Sequence, residues 1–238
     1  MFNKYGLIVF VLLFPVITQA SELTGTSAID STSYTSNVTT SLALPNATIL
    51  GSSTVTNTGL TVVQGNVAVS PGTAITGFPP GVIVGGALHG GDALAAQAHA
   101  TAQAYYNALI AQNCPAGHNL SGQDLGGKTL APGVYCFDSS AQLTGVLILN
   151  GKKKSSYTFQ IGSTLTTASA SKVVLTGGVK DVNVNWAIGS SATLGTGTVF
   201  QGIIDAVASI TMTTNVSLKG RAWALNGAVT LDTNAVNI

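Results

Sequence analysis

Short runs of alternating apolar and polar residues occupy most of the chain on both sides of one helical segment. Runs such as residues 54–58 (TVTNT) and 67–69 (VAV) are broken by glycine, which is typical of β-strands. The same pattern returns after Pro132-Gly133 and continues to the end of the chain. The alternation therefore predicts a mostly β protein.

One segment, residues 92–112, is rich in alanine and free of glycine and proline. Asp92 is a good N-cap, and the segment stops before Cys114-Pro115, so we predict one helix here. One side of this helix, expected to lie against a sheet, carries Leu94, Ala98, Thr101, Ala102, Tyr105 and Leu109.

The later strand segments restart repeatedly with a glycine and a hydroxyl-rich run. Their centres, separated by 24, 27, 18 and 19 residues, are Gln142, Thr166, Thr193, Thr211 and Thr230. Such spacing fits successive coils of a solenoid with irregular coil length. A β-sandwich is the rival fold, but the repeat unit is a whole coil and Asn-Gly pairs at tight hairpins are few.

Alternate side chains of a strand point to opposite sides, so Thr54, Thr56 and Thr58 share one side while Val55 points inward. The outward set predicted in this way is Thr54, Thr56, Thr58, Thr76, Ser140, Gln142, Thr144, Thr164, Thr166, Ser191, Thr193, Ser209, Thr211, Thr213, Ala228 and Thr230. The inward set is Leu143, Leu165, Ala192, Leu194, Ile210, Met212, Val229 and Leu231. Taken alone, threonine at period two indicates only a solvated strand face.

The first 20 residues have the features of a secretory signal peptide, with a short positive start, an apolar stretch and small residues at the end. We therefore predict export and an extracellular mature chain. Residues 21–41 contain 12 Ser or Thr and are interpreted as an arm or linker, followed by one domain over 42–238. The acceptor pattern for N-glycosylation occurs at Asn37, Asn46, Asn119 and Asn215, a pattern short enough to arise by chance.

Charged residues make up only 7% of the chain. Removal of the signal removes Lys4, leaving 8 basic and 8 acidic residues and a net charge of zero. Nucleic acid and anionic membranes would call for a basic surface, so neither is an expected partner.

The two cysteines, Cys114 and Cys136, lie in a chain that we expect to be exported. Their even number favours one disulfide over a metal site or a reactive thiol, with two free buried thiols as the alternative.

Catalytic and cofactor patterns are missing from the sequence. The acidic residues are scattered singly, and His89, His99 and His118 lack metal-ligand spacing, so no cofactor, metal or catalytic residue is predicted. The run Lys152-Lys153-Lys154 follows Asn150-Gly151 and is interpreted as a solvated turn.

From about residue 44 to the end, the chain resembles the ice-binding proteins of cold-adapted microbes, which have a discontinuous right-handed β-helix. The matching segments are ITGFPPG (75–81), LGGKTLAPGVY (125–135), LTGVLILNG (143–151), FQIGSTLTTA (159–168), GSSATLGTGT (189–198) and GRAWALNGAVTLDTN (220–234). The chain departs from the family at Ala187, where glutamine is usual, and at Asp205, where an apolar residue is usual.

The resemblance implies a three-faced β-helix with one long helix packed along it and a cap over about residues 113–135. It also implies that the outward set of sixteen residues adsorbs to ice, causing thermal hysteresis and inhibiting recrystallisation. We expect a monomer that is not an enzyme. The alternatives are a secreted β-helix adhesin or wall-associated protein, or a polysaccharide-acting enzyme.

Overall fold

The computed structural model describes residues 44–238. The predicted signal peptide (1–20), the predicted arm (21–41) and Asn37 lie outside the described residues. Within the described part, parallel strands wind into a right-handed β-helix with three faces, as predicted, and one α-helix packs along it. All strand pairs are parallel, which excludes the hairpins of a sandwich.

The first face, here called the Thr face, is a sheet of seven strands, each contributed by a different coil. In spatial order its strands are β10 (Ala141–Leu143), β13 (Leu165–Thr167), β16 (Ala192–Leu194), β18 (Ile210–Met212), β20 (Val229–Asp232), β2 (Thr54–Thr58) and β5 (Ala74–Thr76).

The other two faces share a second sheet that bends around a corner. The second face, called the Val face, contains β8 (Thr129–Leu130), β11 (Val146–Asn150), β14 (Lys172–Thr176), the first half of β17 (Val199–Ala206), the first half of β19 (Ser217–Ala224), β21 (Ala235–Asn237), β3 (Val62–Gln64) and β6 (Val82–Val84). The third, called the helix face, contains β9 (Gly133–Phe137), β12 (Tyr157–Ile161), β15 (Val184–Ile188), the second halves of β17 and β19, β1 (Ile49–Gly51), β4 (Val67–Val69) and β7 (Leu88–Gly90).

The stacking order of the coils differs from their order in the chain. Strand β1 lies between β19 and β4. The first coils of the chain therefore stack directly on the last coils. After β7 the chain is at one end of the stack, and β9 is at the other end. The helix α1 (Ala93–Ile110) carries the chain back along the helix face. Its 18 residues span about 27 Å, close to the roughly 30 Å length of the stack.

The start of α1 agrees with the sequence prediction, because the Asp92 carboxylate accepts a hydrogen bond from the Ala95 N–H at 2.9 Å. Its end comes two residues earlier than predicted, at Ile110. Gln160 of β12 lies at this end, where its Nε2 donates to the carbonyls of Leu109 and Gln112 at 2.8 Å each. A side chain distant in sequence therefore adds hydrogen bonds at the C-terminal end of the helix, where the helix itself supplies few donors.

The buried side of α1 is rotated slightly from the predicted one. Leu94 and Thr101, predicted to face inward, are only partly buried, while Ala95 and Tyr106 are buried. Tyr105 sets the rotation: its ring meets Trp223 edge-on at 5.7 Å, and its hydroxyl donates to Asn185 Oδ1 at 2.7 Å. These contacts involve residues of the sheet, so the helical periodicity of the sequence alone could not predict them.

A column of stacked aromatic rings runs through the interior near the capped end. Tyr135, Phe159 and Trp186 occupy one register position on three successive coils, with centroid separations of 5.6 and 4.0 Å. His118 stacks on Tyr135 at 4.7 Å and holds residues 113–128, which contain no helix or strand, against the end of the core. Leu120 and Leu125 of this segment are buried.

Cys114 and Cys136 are joined by a disulfide, as predicted, which ties the segment after α1 to β9. The cross-link closes a loop with a sequence separation of 22 residues, a size for which chain entropy gives about 3 kcal/mol of stabilisation. We expect reduction to lower the free energy of unfolding by about this amount. Calorimetry with and without reductant measures the change, and a Cys114→Ser/Cys136→Ser variant should be insensitive to reductant. An unchanged melting temperature in the reduced wild-type protein would show that the cross-link carries no stability.

Asp205 lies beneath α1, at a position where the resemblance leads to the expectation of an apolar residue. Asp205 is two residues after Ile203 in β17 and is paired with Trp223 of β19. Ile203 and Trp223 both pack against the helix, and Asp205 is fully buried. Neither of its carboxylate oxygens has a hydrogen-bond partner among the described residues. Burial therefore raises the pKa of Asp205 from 3.8 to about 8.

This burial predicts a pH-dependent stability. Below pH 4 the carboxyl is protonated in both states. Between about pH 4 and pH 8 only the unfolded chain releases the proton, so stability should fall as pH rises through this window. Asp205→Asn, which cannot ionise, should remove that decrease and raise the melting temperature at pH 8 by about 10 °C.

Thermal unfolding followed by circular dichroism at several pH values tests this. Asp138→Asn, which removes an exposed carboxylate, is the control and should show the same decrease in stability with pH as the wild type. Parallel pH profiles for wild type and Asp205→Asn would mean that Asp205 is solvated in the folded protein.

Candidate functional site

The seven strands of the Thr face place one polar residue of each coil in a single column. The register pairs Gln142 with Thr166, Thr166 with Thr193, and so on through the whole sheet. In spatial order this central column contains Gln142, Thr166, Thr193, Thr211, Thr230, Thr56 and Thr76. The five centres aligned in the sequence are therefore hydrogen-bonded neighbours in the structure, in the predicted order.

All sixteen residues of the predicted outward set lie in this face or at its strand ends, and none is buried. The predicted inward set is buried without exception. Alternation explains the arrangement, because the strand neighbours of the central residues, most of them apolar, are turned towards the core and the central side chain therefore points outward. In β16, Ala192 and Leu194 are buried while Thr193 is exposed.

The hydroxyls of the central column have no hydrogen-bond partner in the described part of the protein, and so they are available to solvent. Coil spacing places neighbouring threonines about 4.8 Å apart, which gives six spacings a total length of about 29 Å. Each of these threonines presents one hydroxyl and one methyl, and its branching at Cβ restricts χ1. The column is thus a regular and stiff array of alternating polar and apolar groups.

The row on one side of the central column uses its hydroxyls within the protein. Ser191 Oγ accepts the Ser209 N–H at 3.3 Å, and Ser209 Oγ accepts the Ala228 N–H at 3.2 Å. Thr164 Oγ1 donates to Ser140 Oγ at 2.8 Å. These side chains link neighbouring coils at the edge of the face, a role that the sequence analysis did not anticipate.

The row on the other side is less regular than predicted. Thr144, Thr213 and Thr58 belong to it, but two of its members are Ala168 and Gly195. It also contains Asp232, which pairs with Thr58 and is partly exposed. The alternation that predicts an outward Thr230 also predicts an outward Asp232 two residues later, so this residue could have been identified from the sequence.

The Thr face carries almost no charge. Its strands contain no lysine or arginine, and the carboxylate of Asp232 is held by the hydroxyls of Thr214 at 2.5 Å and Thr233 at 3.0 Å. Asp124 lies beyond the Gln142 end of the column. Its burial would raise its pKa, but the N–H groups of Gly126 and Thr144 donate to it and hold the pKa below the usual value.

The three histidines have separate partners. His89 contacts Asp92, His99 contacts the Leu225 carbonyl, and His118 contacts the Val134 carbonyl. Across residues 44–238, no group of three or more His, Cys, Asp or Glu side chains is arranged to hold a metal ion. Within the same range, the helix is too short or too polar to cross a membrane.

Comparison with known proteins agrees with this architecture. An ice-binding protein of Nostoc sp. (strain HG1) is 55% identical over 192 residues, which cover 79% of this chain and 70% of that protein. The crystal structure of an ice-binding protein from the Antarctic ascomycete Antarctomyces psychrotrophicus is 40% identical, with a TM-score of 0.75, and covers 82% of this chain and 95% of that one. An ice-binding protein from an Antarctic biological consortium is 42% identical, with a TM-score of 0.77 and coverage of 82% and 90%.

A sequence model of the family described as ice-binding-like matches residues 49–237. This match spans nearly the whole described part of the chain, including all seven strands of the Thr face. The chain therefore belongs to the ice-binding-like family.

Proposed function

We propose that this protein is an ice-binding antifreeze protein that adsorbs to ice through the Thr face. The observation that carries the proposal is the central column of six threonines and Gln142, in register on seven adjacent strands. We further propose that it is secreted, acts as a monomer without a cofactor, and has no catalytic activity. The relatives described above are named as ice-binding proteins, which supports the ice-binding part of the proposal.

The chemistry of the column suits ordered water. Each free hydroxyl can donate or accept a hydrogen bond, while each neighbouring methyl restricts the orientations open to a water molecule beside it. Water held at regular spacing on the face can join a growing crystal. A charged side chain would impose its own hydration geometry, which fits the lack of lysine and arginine in these strands.

The area of the face explains why the whole column is needed. A strip about 29 Å long and three residues wide covers a few hundred Å², well below the ~800 Å² per partner of a stable protein interface. Many weak contacts must therefore act together on a plane. The proposed binding face is formed by the sixteen residues of the predicted outward set, and the central column, which supplies the free hydroxyls, makes the main contribution to adsorption.

Thr193, in the middle of the column, gives the sharpest test. In Thr193→Tyr a ring stands off the plane and keeps neighbouring threonines from the ice lattice, so thermal hysteresis should fall to a small fraction of the wild-type value. Stability should change by about 0.5 kcal/mol or less, because the site is exposed and tyrosine is a good strand residue.

Val199→Tyr provides the matched control, since Val199 is an outward strand residue of the same coil on the Val face. This control should keep full thermal hysteresis. If Thr193→Tyr is folded by circular dichroism and retains full hysteresis, the Thr face is not the ice-binding site.

Ser209 and Thr211 separate structure from binding within a single strand. Ser209→Ala removes the acceptor for the Ala228 N–H and should cost about 1 kcal/mol of stability with little effect on ice adsorption. Thr211→Ala removes a free hydroxyl and a methyl of the central column, and should weaken adsorption with little effect on stability. Paired measurements of melting temperature and ice adsorption check this, and the opposite pattern would exchange the roles of the two rows.

A further inference from the structure

The corner between the Val face and the helix face gathers most of the basic side chains. The turn 151–156 joins β11 to β12, and the loop 177–183 joins β14 to β15 in the next coil. Strands β17 and β19 pass the same corner without a break. The basic residues at this corner, here called the basic ridge, are Lys152, Lys153, Lys154, Lys180, Lys219 and Arg221.

The contacts place these residues beside one another. Asn183 Nδ2 donates to the Lys153 carbonyl at 3.2 Å, which joins the two loops. Lys219 Nζ lies 3.8 Å from Asp181 Oδ1, which joins the second loop to β19. The coils from β11 to β19 span three strand spacings, or about 14 Å. Six of the eight basic residues of the described chain are therefore concentrated on one short ridge.

Asp181 is the only carboxylate that forms an ion pair with the ridge among the described residues, and its side chain is 13% exposed. The four lysines of the two loops are exposed, as is Lys219, and Arg221 is partly buried. Six like charges on neighbouring coils repel one another, so this concentration does not stabilise the fold. Lys152-Lys153-Lys154, interpreted from sequence as a solvated turn, is part of a larger surface.

We propose that the basic ridge binds a linear anionic polysaccharide, one that carries carboxylate or sulfate groups along its length. Lysine is a compact, flexible point charge, suited to repeated anionic groups on a polymer. A single-stranded nucleic acid would call for exposed aromatic rings for base stacking, and the tyrosine next to the ridge, Tyr157, is buried. A membrane surface would call for inserted apolar side chains, and the ridge has only Val182 exposed.

The position of the ridge leaves the Thr face free. In a three-faced solenoid, the corner between the Val and helix faces lies opposite the Thr face. A polymer bound there would hold the protein with its Thr face directed away. This proposal does not depend on ice binding, because it rests on different residues and a different ligand.

Binding to immobilised alginate, a polyuronate, provides the test, with neutral dextran as the uncharged reference. We expect the full mature protein to bind alginate and not dextran, and to lose that binding at about 0.5 M NaCl through screening. Lys153→Gln/Lys180→Gln should weaken binding about thirtyfold. Lys128→Gln/Lys172→Gln, which has the same net charge but alters no ridge residue, should bind like wild type.

Dextran sulfate in place of alginate distinguishes sulfate from carboxylate as the recognised group, and tight binding to either supports the proposal. If both double variants bind the polyanions equally weakly, net charge alone explains the binding, and the proposal is overturned. Equal binding to dextran, or tighter binding to duplex DNA or anionic lipid vesicles than to both polyanions, would also overturn it. Ice adsorption of Lys153→Gln/Lys180→Gln should match wild type, so failure here and failure of the ice-binding proposal are distinguishable.

Discussion

Parallel backbone hydrogen bonds between successive coils determine the position of every side chain on the three faces. They hold neighbouring strands about 4.8 Å apart and allow no slip in register, because a shift of one residue would turn the buried leucines and valines to solvent. The threonine column follows directly from this constraint. Thr166, Thr193 and Thr211 are in line because Leu165, Ala192 and Ile210 must be buried on the other side.

Coils of unequal length can keep this register because the extra residues collect at one corner. The loops 151–156 and 177–183 add six and seven residues between the Val and helix faces, whereas β17 and β19 pass that corner directly. The connections from the helix face back to the Thr face stay at three or four residues in the same four coils. The differences in loop length thus lie opposite the Thr face, where they do not disturb its plane. The two long loops also carry the loop lysines of the basic ridge.

Sequence alternation predicted the coil register and the outward set, and the N-cap Asp92 predicted the start of α1, because each depends on residues close together in the chain. It could not predict contacts between distant segments. Thr56 lies beside Thr230 because the first coils stack on the last, and Gln160 donates to carbonyls at the end of α1 from a strand about 50 residues away. The use of Ser191 and Ser209 as links between coils likewise depends on a backbone N–H of the next coil. The proximity of Lys153 and Lys180 has the same origin.

The Thr face, which is nearly free of charge and has a regular central column of free threonine hydroxyls, is proposed to adsorb to ice. The most direct measurement is partition of the purified protein between solution and a slowly growing ice hemisphere. Adsorption predicts that the folded protein is incorporated into the ice at a concentration comparable to or above that of the liquid. Exclusion of the protein from the ice, under conditions where circular dichroism shows the β-helix intact, would contradict the account.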